Sequence, residues 1–343
     1  MIIGLLIYKG PNPKKNIFDV LTRDNLSVHW IEMRKYFTNY GIKIVTEDEL
    51  NSRSHEFEIH IDIQEKKSNV PAFLLLWESK FINSMNLNKN KLKKYHRLFS
   101  WDTQTDEFKN ATTFFFPYLC EPAVLPDGYS KRTQLVTMIA NNKSISNFNN
   151  GYNLYAERVR TIRWFEKYFP NDFALYGGNW NKSARIPTKL GGFIHLIESL
   201  LPFSPFRSKS WRGVIKTKSD VLKNSRFSIV YENIGGQNNY ITEKIFDAFR
   251  FGNVPVYWGA KNISNYIPNN CFIDRRQFKS HFDLYYFLKD MKEDEYIKYQ
   301  RNAKIFLNSK PAKIFSIDNF IKTIASQIII DLGNITNSKY LNV

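Results

Sequence analysis

Short apolar runs alternate with amphipathic stretches along most of this chain. IIGLLIY (Ile2–Tyr8) and AFLLLW (Ala72–Trp77) are unbroken apolar runs, the pattern of strands buried on both faces. FEIHIDI alternates instead, with Phe57, Ile59, Ile61 and Ile63 on one face and Glu58, His60 and Asp62 on the other, which predicts a half-buried strand. VHWIEMRKYFTNY, preceded by Ser27 as a cap and followed by Gly41 as a stop, predicts a helix, and GIKIVT a strand after it. HRLFSWD and TTFFFPY add two more strand candidates. The asparagine-rich segment NNKSISNFNNG (Asn141–Gly151) reads as a domain boundary. Beyond it, YNLYAERVRTIRWFEKYF predicts a long helix and FALYGG and RFSIVYEN predict strands. ITEKIFDAFRFG predicts a helix, NVPVYWG a strand, and FDLYYFLKDM and DNFIKTIASQIIIDL further helices. Strand, helix and strand in that order predict right-handed βαβ units. The expected fold is α/β, with two doubly wound domains, 1–145 and 146–343, facing a cleft. The second carries the C-terminal helices, and ligands bind beyond the carboxyl ends of the strands.

Charge adds a question about partners. The net charge is +17 over 343 residues, which suits either a solvated basic surface or an anionic partner such as nucleic acid, an acidic membrane or a phosphate-bearing substrate. A nucleic-acid binder would show a recognisable module or a basic stripe with stacking aromatics; here the aromatics fall inside apolar strands and helices, so no nucleic acid is expected. Peripheral contact with an anionic membrane stays open. Hydrophobic residues at 43% and aromatics at 16% supply sizeable cores and exclude global disorder. The two cysteines, Cys120 and Cys271, form neither a disulfide framework nor a zinc motif, which favours a reducing compartment. MIIGLLIYKG reads as a first strand rather than a signal peptide, and no run approaches the roughly 18 apolar residues that span a bilayer. A cytoplasmic protein, at most peripheral at the inner membrane, is expected.

The strongest chemical signal is one misplaced charge. In YENIGGQNNYITEKIFDAFRFGNVPVYWG (Tyr231–Gly259), Thr242 reads as a helix N-cap, which puts Glu243 and Lys244 in the first turn. A helix N-terminus favours Glu243 and disfavours Lys244, by a few tenths to about 1 kcal/mol. A surface lysine tolerates that cost. An anion lying between Lys244 and the helix amides would reverse its sign, and a sugar nucleotide's pyrophosphate needs both an amide cradle and a cation. The loop Ile234–Asn239, with Gly235 and Gly236, reads as flexible and matches no standard phosphate-binding glycine motif.

This stretch closely resembles the donor-binding motif of the α-1,3-fucosyltransferase family. LLWESK is similar to that family's WESP segment, and FSWDTQTDEF, FFPYL and WRGVIKTKSDVL fall in the family's order. The resemblance is strong over about Ser208–Asp274, moderate over Leu74–Leu119 and Leu135–Trp180, and faint elsewhere. It implies a GT-B type glycosyltransferase of two Rossmann-like domains, the first receiving an N-acetyllactosamine-like glycan and the second holding GDP-β-L-fucose. Transfer would invert the anomeric centre in one displacement. That reaction needs a carboxylate at the acceptor and cations on the diphosphate. The resemblance makes Glu78 the general base and Lys244 the phosphate ligand. It puts Glu243 on donor hydroxyls and places Glu232, Asn233 and Tyr240 among the donor contacts. Arg158 stands where the family has a phosphate-binding arginine, although Arg160 and Arg163 blur that choice, and Lys218 is a weaker candidate. Two departures stand out: Lys80 replaces the family's proline and leaves the turn after Glu78 less rigid, and IGGQNN is slightly longer than usual.

No metal site and no required cofactor are expected. Asp102 and Asp106 have the wrong spacing for a DxD site, and His55 and His60 would lie on opposite faces of a strand. Stimulation by a divalent cation stays open. The main alternative is an inverting transferase of the same fold using another GDP-sugar; a different class would be a basic protein binding nucleic acid or a membrane surface.

Overall fold

Every strand pairing among the described residues is parallel, and the strands fall into two sheets. The computed structural model describes residues 2–8, 17–18, 27–51, 54–65, 68–102, 108–118, 128–143, 153–183 and 207–336. Cys120, Asp106 and most of the expected linker lie outside them. The chain divides into two compact units, Met1–Leu119 with Lys313–Val343, and Cys120–Ala312.

The first unit holds β1 (Ile2–Ile7), β2 (Ile42–Thr46), β3 (Phe57–Ile61), β4 (Ala72–Leu76), β5 (Arg97–Ser100) and β6 (Ala111–Thr113), in the order β2-β1-β3-β4-β5-β6. Helix α1 (Val28–Thr38) buries Trp30, Met33 and Phe37, and Ser27 precedes it without a capping side-chain hydrogen bond. A Cβ on Gly4 would fall inside the Phe57 ring, so the small residue lets β1 and β3 pack beside that aromatic. The half-buried expectation for β3 is corrected: it is a central strand covered on both faces, with Glu58 and His60 at 0% exposure. Their burial is tolerated because Glu58 accepts from His60 Nε2 (2.8 Å), Ser68 N (2.9 Å) and Ser68 Oγ (3.0 Å), and pairs with His55 Nε2 (3.2 Å). His55 and His60 therefore converge on one carboxylate rather than pointing apart.

The second unit holds β7 (Gln134–Ile139), β8 (Phe173–Tyr176), β9 (Ser225–Tyr231), β10 (Val254–Trp258) and β11 (Ile273–Asp274), in the order β11-β10-β9-β7-β8. Its helices include α2 (Leu154–Tyr168), α3 (Glu243–Arg250), α4 (His281–Asp290) and α5 (Glu293–Leu307). The division differs from the expected 145/146 boundary at both ends. Strand β7 pairs with β8 and β9, so the second unit begins before it. The C-terminal segment belongs to the first unit: Arg97 Nε and Nη2 grip Asp331 (2.5 and 2.8 Å), Tyr118 N donates to Phe315 O (2.6 Å), and Phe320 meets Trp30 and Trp77 edge-on. A polar segment signals a loop, and these long-range contacts decide where a unit ends.

In both sheets the strand order reverses once, between β1 and β3 and between β7 and β9. Such switch points open a crevice beyond the carboxyl ends of their strands. Among the described residues no helix is long and apolar enough to cross a membrane.

Candidate active site

In the second unit, Glu232 and Asn233 follow β9 at the switch point. Helix α2 follows β7, and its buried stripe runs Leu154, Tyr155, Arg158, Thr161, Ile162 and Phe165, so Arg158 is directed inward. Arg160 and Arg163 lie off that stripe and pair on the surface with Glu157 and Glu166. Of the three arginines only Arg158 lies on the buried stripe, which the helical period of the sequence already marks. Arg158 Nη2 donates to Tyr231 O (2.6 Å) and Asn233 Oδ1 (3.2 Å), and its guanidinium stacks 4.7 Å from the Tyr155 ring. Asn233 Nδ2 in turn donates to Tyr240 Oη (3.3 Å).

Helix α3 buries Ile245, Phe246, Ala248 and Phe249, which fixes the direction of its first turn. Thr242 is the N-cap residue, but its hydroxyl does not cap the helix. It donates to Glu232 Oε2 (2.8 Å), while Thr242 N donates to Glu232 Oε1 (2.9 Å). Lys244 Nζ donates to the same carboxylate (2.9 Å) and to Thr242 Oγ1 (2.8 Å). Burial opposes the charge on Lys244, but Glu232 and Glu243 overrule it and raise the pKa of the ammonium. For Glu243, burial pushes the carboxyl up, yet Lys244 and then Lys218 hold it down at about 2. Lys218 itself pairs with Asp247 of α3.

Glu232 is fully buried, at 0% exposure, whereas the side chain of Lys244 is 27% exposed. Glu232 therefore lies behind Lys244 and aims it. Gly259 makes room for this carboxylate, since a Cβ there would sit 2.5 Å from Glu232 Cγ. The loop after Asn233 is also corrected from flexible to cross-tied. Gly236 N donates to Gly259 O (3.0 Å), Lys261 N donates to Gln237 O (3.0 Å), and Asn239 Oδ1 accepts from Tyr266 Oη (2.8 Å) and Asn262 Nδ2 (2.9 Å). Asn262 and Tyr266 lie 23 and 27 residues from Asn239, too far along the chain for local spacing to have joined them to it.

In the first unit, Glu78 lies just past β4, half-buried. Tyr8 and Asp62 stand at the ends of β1 and β3, flanking the switch point. Partial burial, and then the charges of Glu78 and Asp62, raise the pKa of the Tyr8 phenol, so the three groups share one electrostatic neighbourhood. The turn after Glu78 is not left loose by Lys80. Ser79 O accepts from Ile82 N (2.9 Å) and Asn83 N (2.8 Å), Lys80 Nζ lies 3.9 Å from Asp102, and Asp62 holds the backbone of Trp77 and Glu78. Asp62 was missed as a site residue; a polar residue ending a strand beside a switch point was its only sequence signal. Among the described residues, no group of three or more histidines, cysteines or acids is placed to hold a metal ion.

Comparison with known proteins gives the family. The family model described as glycosyltransferase family 10 (fucosyltransferase), C-terminal part, matches residues 129–316, which is more than half of the chain and includes Arg158, Lys218 and the whole Glu232–Lys244 motif. The chain belongs to the family 10 fucosyltransferases. Similar relatives include an α-(1,3)-fucosyltransferase, FucT, of Helicobacter pylori, 31% identical over 26% of this chain and 17% of that protein. The mouse 4-galactosyl-N-acetylglucosaminide 3-α-L-fucosyltransferase 9 is 34% identical over 26% of each chain. The matched segments thus span only 17% and 26% of these two relatives. Among solved structures, an α-glucosyltransferase bound to UDP and DNA superposes with a TM-score of 0.54 at 13% identity, covering 96% of this chain and 99% of that one. A glycosyltransferase from Rickettsia africae gives 0.53 at 12%, covering 97% and 99%. The family 10 chain thus has a fold of GT-B type, with two parallel α/β units.

Proposed function

We propose that the protein is an α-1,3-fucosyltransferase that moves L-fucose from GDP-β-L-fucose to a hydroxyl of an N-acetylglucosamine-containing glycan, inverting the anomeric centre. The observation that carries this reading is Lys244: a partly exposed, charged ammonium held by buried Glu232 at the N-terminus of α3. Before a ligand binds, it sits where the helix dipole disfavours a cation; a diphosphate there would be met by both the ammonium and the helix amides. Arg158 adds a second cation in the same cluster, and its charge acts on Lys244. As GDP leaves, charge grows on its phosphate oxygens, and fixed cations stabilise that charge without reorganising.

Glu243, ionised far below neutral pH and partly exposed, suits ribose or fucose hydroxyls, and Asn233 and Tyr240, bonded to each other, are further donor contacts. Lys218 supports this arrangement through Asp247 and Glu243. In the first unit Glu78 acts as general base, taking the acceptor proton as the hydroxyl attacks C1 of fucose. Family membership supports fucose as the transferred sugar, and the names of the relatives support the 3-linkage.

The test is a donor panel of GDP-fucose, GDP-mannose and UDP-sugars with N-acetyllactosamine as acceptor, following nucleotide release and product anomery by NMR. GDP-fucose should turn over best and give an α-linked product. Preference for another GDP-sugar, or equal release from UDP-sugars, would overturn the donor assignment, and a β-linked product would overturn inversion.

A further inference from the structure

Asp62 is buried, at 9% exposure, and adopts a left-handed backbone conformation with φ at 59°. Non-glycine residues enter that region uncommonly, aspartate and asparagine more readily than others. The conformation is fixed by Asp62 N donating to Leu75 O (2.8 Å). One carboxylate oxygen, Oδ1, accepts from Trp77 N (2.8 Å), Glu78 N (3.0 Å) and Asn86 Nδ2 (2.8 Å). Asn86 Nδ2 also donates to Glu78 O (2.8 Å), and Asn86 Oδ1 accepts from Ile63 N (3.2 Å). The amide and the carbonyl of Glu78 are therefore both held by one side-chain pair, anchored on the two residues that follow β3.

A buried carboxylate is costly, and burial does raise the Asp62 pKa despite its donors. A turn needing only hydrogen-bond acceptors could be closed by backbone carbonyls, as Ser79 O closes the next one. A charged group in a disfavoured backbone conformation, spent on two consecutive amides of which one is that of Glu78, points to a positional demand on that residue.

We propose that Asp62, with Asn86, is a positioning residue for Glu78: it fixes the backbone from which the base reaches the acceptor hydroxyl. The proposal rests on Glu78 acting as base. It also explains how the turn does without the family's proline at Lys80, since rigidity comes from a side-chain clamp on the preceding residues.

The test compares Asp62→Gly, Asp62→Asn and Asn86→Ala, alone and with Glu78→Gln. Glycine suits the left-handed backbone while deleting the carboxylate, and asparagine keeps an acceptor oxygen. Asp62→Gly should lower kcat about 100-fold, the scale of an ångström-sized misplacement, with GDP affinity by calorimetry unchanged. Asp62→Asn should recover kcat to within about tenfold of the parent, and Asn86→Ala should fall between the two variants. In the Glu78→Gln background Asp62→Gly should add less than about threefold, because it acts through Glu78. Hydrogen exchange at the Trp77 and Glu78 amides should quicken in Asp62→Gly and recover in Asp62→Asn, whether or not GDP-fucose is the donor. Near-parental kcat in Asp62→Gly, fully additive losses with Glu78→Gln, or unchanged exchange would overturn the clamp. Loss of GDP binding alongside activity would mark a general fold defect; Asp62→Asn and Asn86→Ala would then decide, and near-parental kcat with unchanged exchange in Asn86→Ala would overturn the proposal. Near-parental kcat in Glu78→Gln alone would instead overturn the base assignment.

Discussion

The two strand-end sites are built on the same device with opposite results. In each, a buried carboxylate just past the end of a central strand organises the group that follows. Glu232 gathers Thr242 and the ammonium of Lys244, and so presents a cation. Asp62 gathers neutral donors, two backbone amides and the carboxamides of Asn86 and Asn83, and so fixes a turn that carries another carboxylate. The electrostatic consequence differs accordingly. A cation partner lets Glu232 sit at 0% exposure, whereas among the described residues Asp62 has no cation as a hydrogen-bond donor and burial raises its pKa. A carboxylate that neutralises a cation sets charge, and one that binds amides sets geometry.

The sharpest break between the sites should come from the residues they present. Glu78→Gln should lower kcat by about 10²- to 10⁴-fold, the usual range for a general base, with GDP affinity unchanged. Lys244→Ala should cost about 10²- to 10³-fold in kcat/KM and weaken GDP measurably by calorimetry. If both variants lost GDP affinity alike, the division of labour would be wrong. Glu232→Gln keeps the shape and removes the charge that aims Lys244. A rise in the donor KM of about tenfold, equivalent to about 1.4 kcal/mol, is expected, with kcat less affected.

Smaller effects test packing and pH. Gly259→Ala would press a methyl group against Glu232 and Tyr257, and overpacking of this kind costs about 1–3 kcal/mol. Thermal melting should fall and donor affinity should fall with it. The smallest effect is confined to the second unit. Burial, and then the charge of Arg275, hold the His281 pKa down to about 4, with its ring bonded to Thr161 and stacked on Trp164. A histidine whose folded pKa is depressed stabilises the fold fully above its unfolded value near 6.5, and that contribution is lost as pH falls toward 4. Hydrogen exchange in α2 and α4 should quicken across that window, and His281→Asn should flatten the dependence. Acid sensitivity unchanged in that variant would remove His281 as its source.

Legibility followed contiguity. The Glu232–Lys244 motif lies within one strand–loop–helix unit, so spacing put Glu243 and Lys244 in one helical turn, and the family resemblance added Asn233 and Tyr240. Arg158 was nearly legible, because its helix's apolar stripe includes it and omits Arg160 and Arg163. Asp62, Glu78 and Asn86 come from three separate stretches, and nothing in the spacing among them announces a clamp. The alternating pattern of Phe57–Ile63 even pointed the wrong way, since alternation implies a solvated face while Glu58, His60 and Asp62 are buried among partners supplied by distant residues.

By itself, the sequence determined the α/β class, the parallel strand–helix rhythm and the cation at a helix N-terminus, because each depends on residues within one turn or one βαβ unit. Tertiary structure alone decided that β7 joins the second sheet, that the C-terminal segment returns to the first, and that Glu232 stands behind Lys244 rather than beside it. It also decided that the backbone of Trp77 and Glu78 is held by Asp62. These outcomes depend on which buried polar groups find partners, and such partners are set by strand neighbours far apart in the chain.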